Sequence, residues 1–266
     1  MNEKNFEYLC DQVKYTGFGE GLEDELKEKM QQQKPSFSMN HEAYYGEDVA
    51  RVYLNFKKSA LSDMYFFNSY KIDLLKENAT EGLEQTFYIN KGSNFTMKEA
   101  YNLMEGRAVN KDLTTKEGQP YNAWVQMDFK ETDANGNFKL NQYHKNYGYD
   151  VENTLSKHAI KELGNPKYKQ DLIDSMKKGN RQSVTFLYDG KEIKQFIEAN
   201  PQFKTINLYD SDMQRIDNRQ SKDEKKSKDE AEAIKQDNKK QSQSSDGDGS
   251  EVPQEKKRRK RISDSK

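Results

Sequence analysis

An internal repeat, whose features recur in the same order three times, places the strongest constraint on the fold of this 266-residue chain. The segments "ARVYLNFK" (50–57) and "AWVQMDFK" (123–130) share valine, a long apolar residue, Asn or Asp, Phe and Lys at matching positions. Turn glycines precede the corresponding strands, and Gly46, Gly118 and Gly190 are separated by 72 residues both times. Each round also has a helical pattern ending at methionine and a later strand with apolar-Asn-x-Tyr. Four landmarks in one order predict a repeated α-β-β-β unit of roughly 70 residues.

The repeat leads to a complete prediction of domain organisation. The fold class is α+β, with three tandem related α-β-β-β modules whose short connections favour antiparallel strands. Module 1 covers 1–76 with two helices and three strands, and module 2 covers 77–148 with one strand, a helix and three strands. Module 3 covers 149–216 with two helices and three strands, and 217–266 is a disordered charged tail.

Local signals predict where individual elements begin and turn. Thr96 with Glu99 three residues later forms a capping box at the start of a helix. Asn135-Gly136 lies between two alternating segments, and both residues tolerate the positive φ angles of a tight hairpin. Asp189-Gly190 predicts a hairpin turn in the third round. The run 151–163 has helical periodicity and predicts one continuous helix.

The tail has its own charge pattern. From 217 to 266 there are 15 basic and 12 acidic residues and no aromatic residue, which predicts disorder. The body keeps 29 basic and 33 acidic residues, so only a local patch of it would attract nucleic acid. Six consecutive cations near the end of the tail are candidate phosphate contacts, or else a solvated charge run. They are Lys256, Lys257, Arg258, Arg259, Lys260 and Arg261.

No motif points to catalysis, a metal or a small-molecule cofactor. His41, His144 and His158 are far apart in sequence and lack partners at metal-ligand spacing. Cys10, the single cysteine, lies in an apolar-periodic segment and is expected to be a small buried side chain. The sequence has no signal peptide pattern and no long apolar run, so we expect a reducing cytoplasm and no membrane partner.

Side-chain alternation in the repeated strands separates a constant face from a varied one. Val52, Val125 and Ile197 occupy one face in every round and are expected to pack on a helix. The opposite face varies, and we assign it to solvent or to contacts between modules. In the last strand Asn lies two residues before Tyr, so both are expected on one face. This pattern favours a surface for bases or a peptide, or edge-strand hydrogen bonding. The candidate binding surface is Arg51, Tyr53, Trp124, Gln126, Phe196, Asn68, Tyr70, Asn141, Tyr143, Asn207 and Tyr209.

Two stretches resemble a known family. "EAYNLMEGRAVNKDLTTKEGQPYNAWVQMDFK" and "KKGNRQSVTFLYDGKEIKQFIEANPQFKTINLYD" are similar to uncharacterised accessory proteins carried on bacterial conjugative transposons. In that family, similar modules are also appended to DNA-processing proteins such as topoisomerases. The resemblance covers roughly 95–216, provides no catalytic residues, and implies a mobile-element context near DNA.

These observations favour a non-enzymatic accessory or adaptor protein of a mobile genetic element. It would bind a protein of the DNA-transfer machinery, or single-stranded nucleic acid, through its repeated strand faces and its tail. The alternative is an enzyme of unrecognised type, nuclease-like or an antirestriction factor. That alternative requires Asp128, Asp150 and Asp210 to converge around a divalent metal.

Overall fold

The structure is a computed structural model that describes residues 1–89 and 94–216. Residues 1–216 form one compact unit. The predicted disordered tail, with its six candidate phosphate contacts Lys256 to Arg261, lies outside the described residues. The fold is α+β, as predicted, with three antiparallel sheets of four, three and four strands.

Sheet 1 forms from the first part of the chain, with strand order β1-β2-β3-β4. Its helices are separated by a π-helical turn at Lys14–Phe18, in which Gly17 adopts a φ of 101°. Apolar residues one helical turn apart, such as Leu26 and Met30, direct both helices onto the sheet. The elements are α1 Glu3–Val13, α2 Glu23–Gln31, β1 Ser36–Tyr45, β2 Asp48–Lys58, β3 Tyr65–Leu75 and β4 Leu83–Tyr88.

Sheets 2 and 3 follow in chain order. Sheet 2 has the order β5-β6-β7, and sheet 3 has the order β11-β10-β9-β8. The elements of sheet 2 are α3 Met97–Met104, β5 Val109–Thr114, β6 Pro120–Thr132 and β7 Phe138–His144. The elements of sheet 3 are α4 Val151–Leu155, α5 Pro166–Lys177, β8 Gln182–Tyr188, β9 Lys191–Asn200, β10 Thr205–Tyr209 and the short β11 Arg215–Ile216.

Two hydrophobic cores meet at sheet 2. The first core joins sheet 1, helices α1 to α3 and one face of sheet 2, where Val125 and Met127 point. The second core joins sheet 3 and helices α4 and α5, and Trp124 enters it from the opposite face of β6. Because neighbouring residues of a strand point to opposite faces, Trp124 and Val125 connect the two cores through a single strand.

The turn chemistry agrees with the sequence at two sites and differs at one. Thr96 and Glu99 form the predicted capping box of α3. Asp189 and Gly190 both have positive φ, 49° and 75°, as a tight hairpin requires. Between β6 and β7, Gly136 has a positive φ, but Asn135 is absent from the positive-φ residues. There the Asp133 carboxylate accepts the backbone N–H groups of residues 135 and 137, which fixes a longer turn.

The predicted continuous helix over 151–163 is wrong. Helix α4 ends at Leu155, and a 3₁₀ turn follows at Lys161–Gly164. Between them Ile160 forms an antiparallel bridge with Phe186, and the Leu187 N–H donates to the Ala159 carbonyl at 2.8 Å. The helix stops because this backbone is hydrogen-bonded along the outer edge of β8.

Strand β4 is hydrogen-bonded to sheet 1, although the sequence places it at the beginning of the second module. Its six residues pair antiparallel with β3 from Leu74↔Leu83 to Ser69↔Tyr88. The sequence predicts this strand over "QTFYIN" (85–90), and its last residue, Asn90, lies outside the described residues. No helix in the described ranges combines the length and apolarity needed to cross a bilayer.

Candidate binding face on sheet 1

Sheet 1 carries its helices on one face and leaves the other face open. Inward-pointing Val52, Leu54 and Phe56 of β2 belong to the first core. The alternate residues Arg51, Tyr53 and Lys57 are exposed. We call this exposed side the open face, formed by outward residues of β1, β2, β3 and β4.

Four aromatic side chains are exposed on the open face. The exposed fraction is 67% for Tyr44, 40% for Tyr53, 48% for Phe66 and 55% for Tyr88. These residues come from all four strands of the sheet. A helix-free sheet face that exposes one aromatic side chain per strand is a typical recognition surface, because such rings bind by burial or by stacking.

Strand register arranges the open face in rows. One row contains Asn40, Tyr53, Lys71 and Thr86 side by side across the four strands. In the next row the Ser38 hydroxyl donates to the Asn55 amide oxygen at 2.8 Å. These residues form a polar strip. The row of Tyr53 lies on one side of it, and the row that contains Lys57 and Phe66 lies on the other.

Charges on the open face are balanced. Its basic side chains are Arg51, Lys57 and Lys71, and its acidic side chains are Glu42, Asp73 and Glu84. Lys71 Nζ lies 2.8 Å from Glu84 Oε1, and Arg51 Nε lies 3.9 Å from Glu42 Oε2. Lys57, opposite Phe66 in the register, forms no ion pair with any described residue. Exposed ion pairs of this kind contribute little stability, so the charges remain available to a partner.

A β-bulge separates two of the predicted site residues. The register of β2 and β3 shifts between Asn55 and Phe56, which leaves Asn68 as an extra residue on β3. Asn68 is exposed, whereas Tyr70 is fully buried and its hydroxyl donates to the Phe95 carbonyl at 2.6 Å. The prediction that both lie on one face is therefore wrong, and Tyr70 belongs to the core.

The site residues predicted on sheet 2 line the boundary with the second core. Trp124 is 6% exposed and packs edge-on against Tyr149 with ring centroids 5.3 Å apart. Tyr143 is half-buried opposite Trp124, and Gln126 donates to the Gly106 carbonyl at 2.9 Å. The sequence predicts that the varied face lies in solvent or at contacts between modules. Trp124 is not in solvent, because it packs against Tyr149 of the following segment.

A polar cleft lies beside Trp124. It encloses about 340 Å³ and is lined by residues of sheet 2, α4 and α5, including Asn110, Asn122, Asp150 and Lys177. The Asn110 and Asn122 amides donate to each other at 2.7 and 3.0 Å, so much of their hydrogen-bonding capacity is already used.

The site residues predicted on sheet 3 surround a buried carboxylate. Asn207 Nδ2 and the Tyr209 hydroxyl donate to Glu198 Oε1 at 2.8 and 2.5 Å, and Arg181 Nε lies 3.3 Å from Glu198 Oε2. Burial, followed by the bond to Glu198, raises the pKa of Tyr209 to about 12. Phe196 is half-buried opposite Tyr209. Because its polar groups satisfy one another, this cluster stabilises the sheet instead of offering free groups.

The carboxylates required by the enzyme alternative perform separate local roles. Asp128 accepts from the Lys130 N–H and from the Asn141 amide, which lowers its pKa. Asp150 caps α4, and Asp210 accepts the N–H groups of residues 212 and 214. Within the described part of the chain, no group of three or more His, Cys, Asp or Glu side chains is arranged to hold a metal ion.

His41, His158 and Cys10 are partly buried. His41 packs edge-on against Phe18 at 5.5 Å, and burial lowers the pKa values of His41 and His158. Burial, with smaller contributions from Glu23 and Asp11, raises the pKa of the Cys10 thiol to about 11. A thiol with that pKa is almost entirely protonated at neutral pH, so Cys10 is a poor nucleophile.

The predicted site residues thus fall in three places. Arg51, Tyr53 and Asn68 are exposed on sheet 1, while the remaining candidates lie within sheets 2 and 3 or in the core. Sequence reasoning missed Tyr44, Phe66 and Tyr88, although "MYFFNSY" contains the alternation that exposes Phe66. Comparisons with protein-family models, curated proteins and solved structures give no significant match.

Proposed function

We propose that this chain is a non-enzymatic accessory or adaptor protein that binds a protein partner through the open face of sheet 1. The observation that carries the proposal is the set of exposed aromatic side chains at Tyr44, Tyr53, Phe66 and Tyr88 on a face without helices. Tyr and Arg are enriched among the residues that dominate protein–protein binding energy, and Tyr53 and Arg51 lie near the middle of this face.

Charge balance favours a protein over nucleic acid as the partner. Nucleic-acid affinity depends largely on an excess of Lys and Arg that displaces counterions from phosphates. The open face has equal numbers of basic and acidic side chains, and two of the basic ones already face Glu84 and Glu42. Complementary charges of both signs on a protein partner would satisfy such a surface.

Single-stranded nucleic acid is the second candidate, for one specific reason. Phe66 lies beside Lys57 and Tyr53 lies beside Lys71 in the strand register. An exposed ring next to a cation is the combination that binds a base and its phosphate. The cations Lys256 to Arg261, outside the described residues, would add phosphate contacts in the full chain.

The internal repeat and the mobile-element context of the proposal rest on the sequence. The three helix-then-strands segments are proposed to be copies of one unit, which places Gly46, Gly118 and Gly190 at equivalent turns, all with positive φ. The Asn55 and Asp128 positions support this relation, because both mark a register shift in their sheets. The mobile-element role, the DNA-transfer partner and a cytoplasmic location are proposed on the resemblance and the composition alone.

Affinity capture from the native host tests the protein-binding proposal. The bait would be the full chain, compared with a Tyr53→Ala, Phe66→Ala, Tyr88→Ala variant. The matched control is Tyr15→Ala, Tyr168→Ala, Phe203→Ala, which removes three rings elsewhere that are each more exposed than those replaced on the open face. We expect the first variant to lose a specifically captured protein by tenfold or more and the control to retain it. Equal capture by both variants would reject the open face as the binding surface.

Fluorescence anisotropy with labelled single-stranded DNA distinguishes the second candidate. The titration uses the full chain and a chain lacking 250–266, at low and at moderate salt. Binding that survives the deletion and falls in the Tyr53, Phe66, Tyr88 variant would favour nucleic acid at the open face. Binding that disappears with 250–266 would assign it to the tail.

A further inference from the structure

Two outer strands have backbone groups bonded by neighbouring segments. On β8, the Thr185 N–H donates to the Glu162 carboxylate at 2.9 Å, and the Leu187 N–H donates to the Ala159 carbonyl. On β4, the Thr86 N–H donates to the Asn137 side-chain oxygen at 2.8 Å. Proteins use such caps to prevent unwanted pairing at sheet edges.

Strand β1 is the outer strand on the other side of sheet 1 and lacks this protection. It has ten residues and an uninterrupted register with β2, and Glu42 is its single Asp, Glu, Lys or Arg residue. Pro35 precedes the strand, and no proline, lysine or bulge lies within it. Long, regular edge strands without charges or bulges readily pair with another strand.

The pairing with β2 identifies the backbone groups that point outward. The Lys58 N–H donates to the Pro35 carbonyl at 2.8 Å, which makes Pro35 and Lys58 a hydrogen-bonded pair. Because bonded and non-bonded pairs alternate in antiparallel sheets, odd-numbered residues of β1 bond to β2. The N–H and C=O groups of the even-numbered residues therefore face away from the sheet. No described residue outside the sheet donates to them or accepts from them.

We propose that β1 pairs antiparallel with β1 of a second copy of this chain, around a twofold axis at Asn40. In that register Ser36 faces Tyr44, Ser38 faces Glu42, and Asn40 faces its own copy. All of these residues have outward backbone groups, so the pairing forms about ten backbone hydrogen bonds. Glu42 does not face the Glu42 of the other copy, and no like charges are opposed within the strand pair.

The chemistry of β1 is what selects a second copy as the occupant. An isologous contact requires a strand that is compatible with itself in reverse. Strand β1 meets that requirement, because the Ser38 hydroxyl faces its one acidic residue and the Asn40 amide faces its own copy. The resulting sheet has eight strands, and the open faces of both copies lie on the same side. A homodimer would then present two copies of Tyr53 to one partner, which is a bivalent arrangement.

Sedimentation velocity of the full chain over a concentration series tests the proposal. We expect a monomer–dimer equilibrium that Asn40→Pro abolishes, since proline removes an outward N–H without removing a bond to β2. Asn40→Ala retains that N–H and is the matched control. Wild-type protein that stays monomeric at hundreds of micromolar would overturn the proposal, as would a dimer that Asn40→Pro leaves intact.

A charge variant tests the register and remains informative if the proline variant fails to fold. Ser38→Glu places a carboxylate opposite Glu42 of the other copy, twice in the dimer, and should raise the dimer dissociation constant roughly two- to thirtyfold. Ser38→Lys should lower it by a few fold through the same two positions. Equal effects of both substitutions would reject this register. Amide exchange that protects β1 only when a different protein is added would assign the edge to that protein instead.

Discussion

Asn5 and Tyr65 are 60 residues apart in sequence and exchange two hydrogen bonds. Asn5 Nδ2 donates to the Tyr65 carbonyl at 3.0 Å, and the Tyr65 backbone N–H donates to Asn5 Oδ1 at 2.7 Å. Asn5 is buried in helix α1, and Tyr65 begins strand β3. A single amide side chain thus completes the backbone hydrogen bonding at the first residue of the strand that carries Phe66.

Asn5→Ala should destabilise the protein by about 2 to 4 kcal/mol, because it leaves two buried backbone groups without partners. Urea denaturation followed by circular dichroism measures the free energy of unfolding. Glu7→Ala, on the exposed side of the same helix, is the control and should change stability by less than about 0.5 kcal/mol. Equal effects of the two substitutions would show that the Asn5–Tyr65 pair contributes nothing specific.

Trp124→Ala should cost about 3 to 5 kcal/mol, because it empties a site between sheet 2 and the second core. Far-ultraviolet circular dichroism is the appropriate measurement, since the substitution removes the single tryptophan. Tyr168→Ala, an exposed ring on α5, should leave stability nearly unchanged. A stable Trp124→Ala protein that loses partner binding would contradict the structural role assigned here.

Gly179→Ala should destabilise by about 1 to 3 kcal/mol through backbone strain and overpacking. Gly179 has a φ of 79°, and an added Cβ would lie 2.9 Å from Val109 Cγ2 and 3.0 Å from Asn102 Cβ. Thermal unfolding by calorimetry would report the loss. Gly21→Ala has open space and no positive φ, so its melting temperature should equal or exceed that of the wild type. A neutral Gly179→Ala would refute the tight approach of α5 to β5.

Stability should fall as pH decreases below about 6.5, because His41 and His158 stay neutral in the fold. Burial lowers both pKa values from 6.5, so the unfolded chain takes up protons first. The contribution of these two neutral histidines to the free energy of unfolding is complete above pH 6.5. It is lost as the pH falls toward their lowered pKa values. Urea midpoints at pH 7.5, 6.5 and 5.5 should show a flatter dependence for His41→Gln, His158→Gln. An identical slope in the wild type and in this double variant would exclude this origin.

Much of the fold is predictable from local pattern alone. The capping box at Thr96, the hairpin at Asp189-Gly190 and the inward residues Val52 and Val125 all depend on neighbours within a few positions. Such features are encoded by side-chain chemistry and by strand alternation. They required no knowledge of how the sheets pack.

Other features depend on distant contacts and could not be predicted. Helix α4 stops early because Ile160 bonds to Phe186, and Tyr70 is buried because a bulge at Asn68 changes the alternation. Trp124 is buried because sheet 2 has a core on each side. The candidate site could therefore be predicted only in part. Strand alternation predicts that Tyr53 is exposed, whereas Tyr88 can be assigned to the open face only once β4 is known to pair with sheet 1.

Site-specific photocrosslinking in the native host tests most directly that the open face contacts the partner. The full chain would carry p-benzoyl-phenylalanine in place of Tyr53 or, as the control, in place of Tyr168, which lies on α5 and is more exposed than Tyr53. We predict a discrete protein adduct from position 53 that decreases when Phe66→Ala is added, and none from position 168. An adduct from position 168 with none from position 53 would contradict the account.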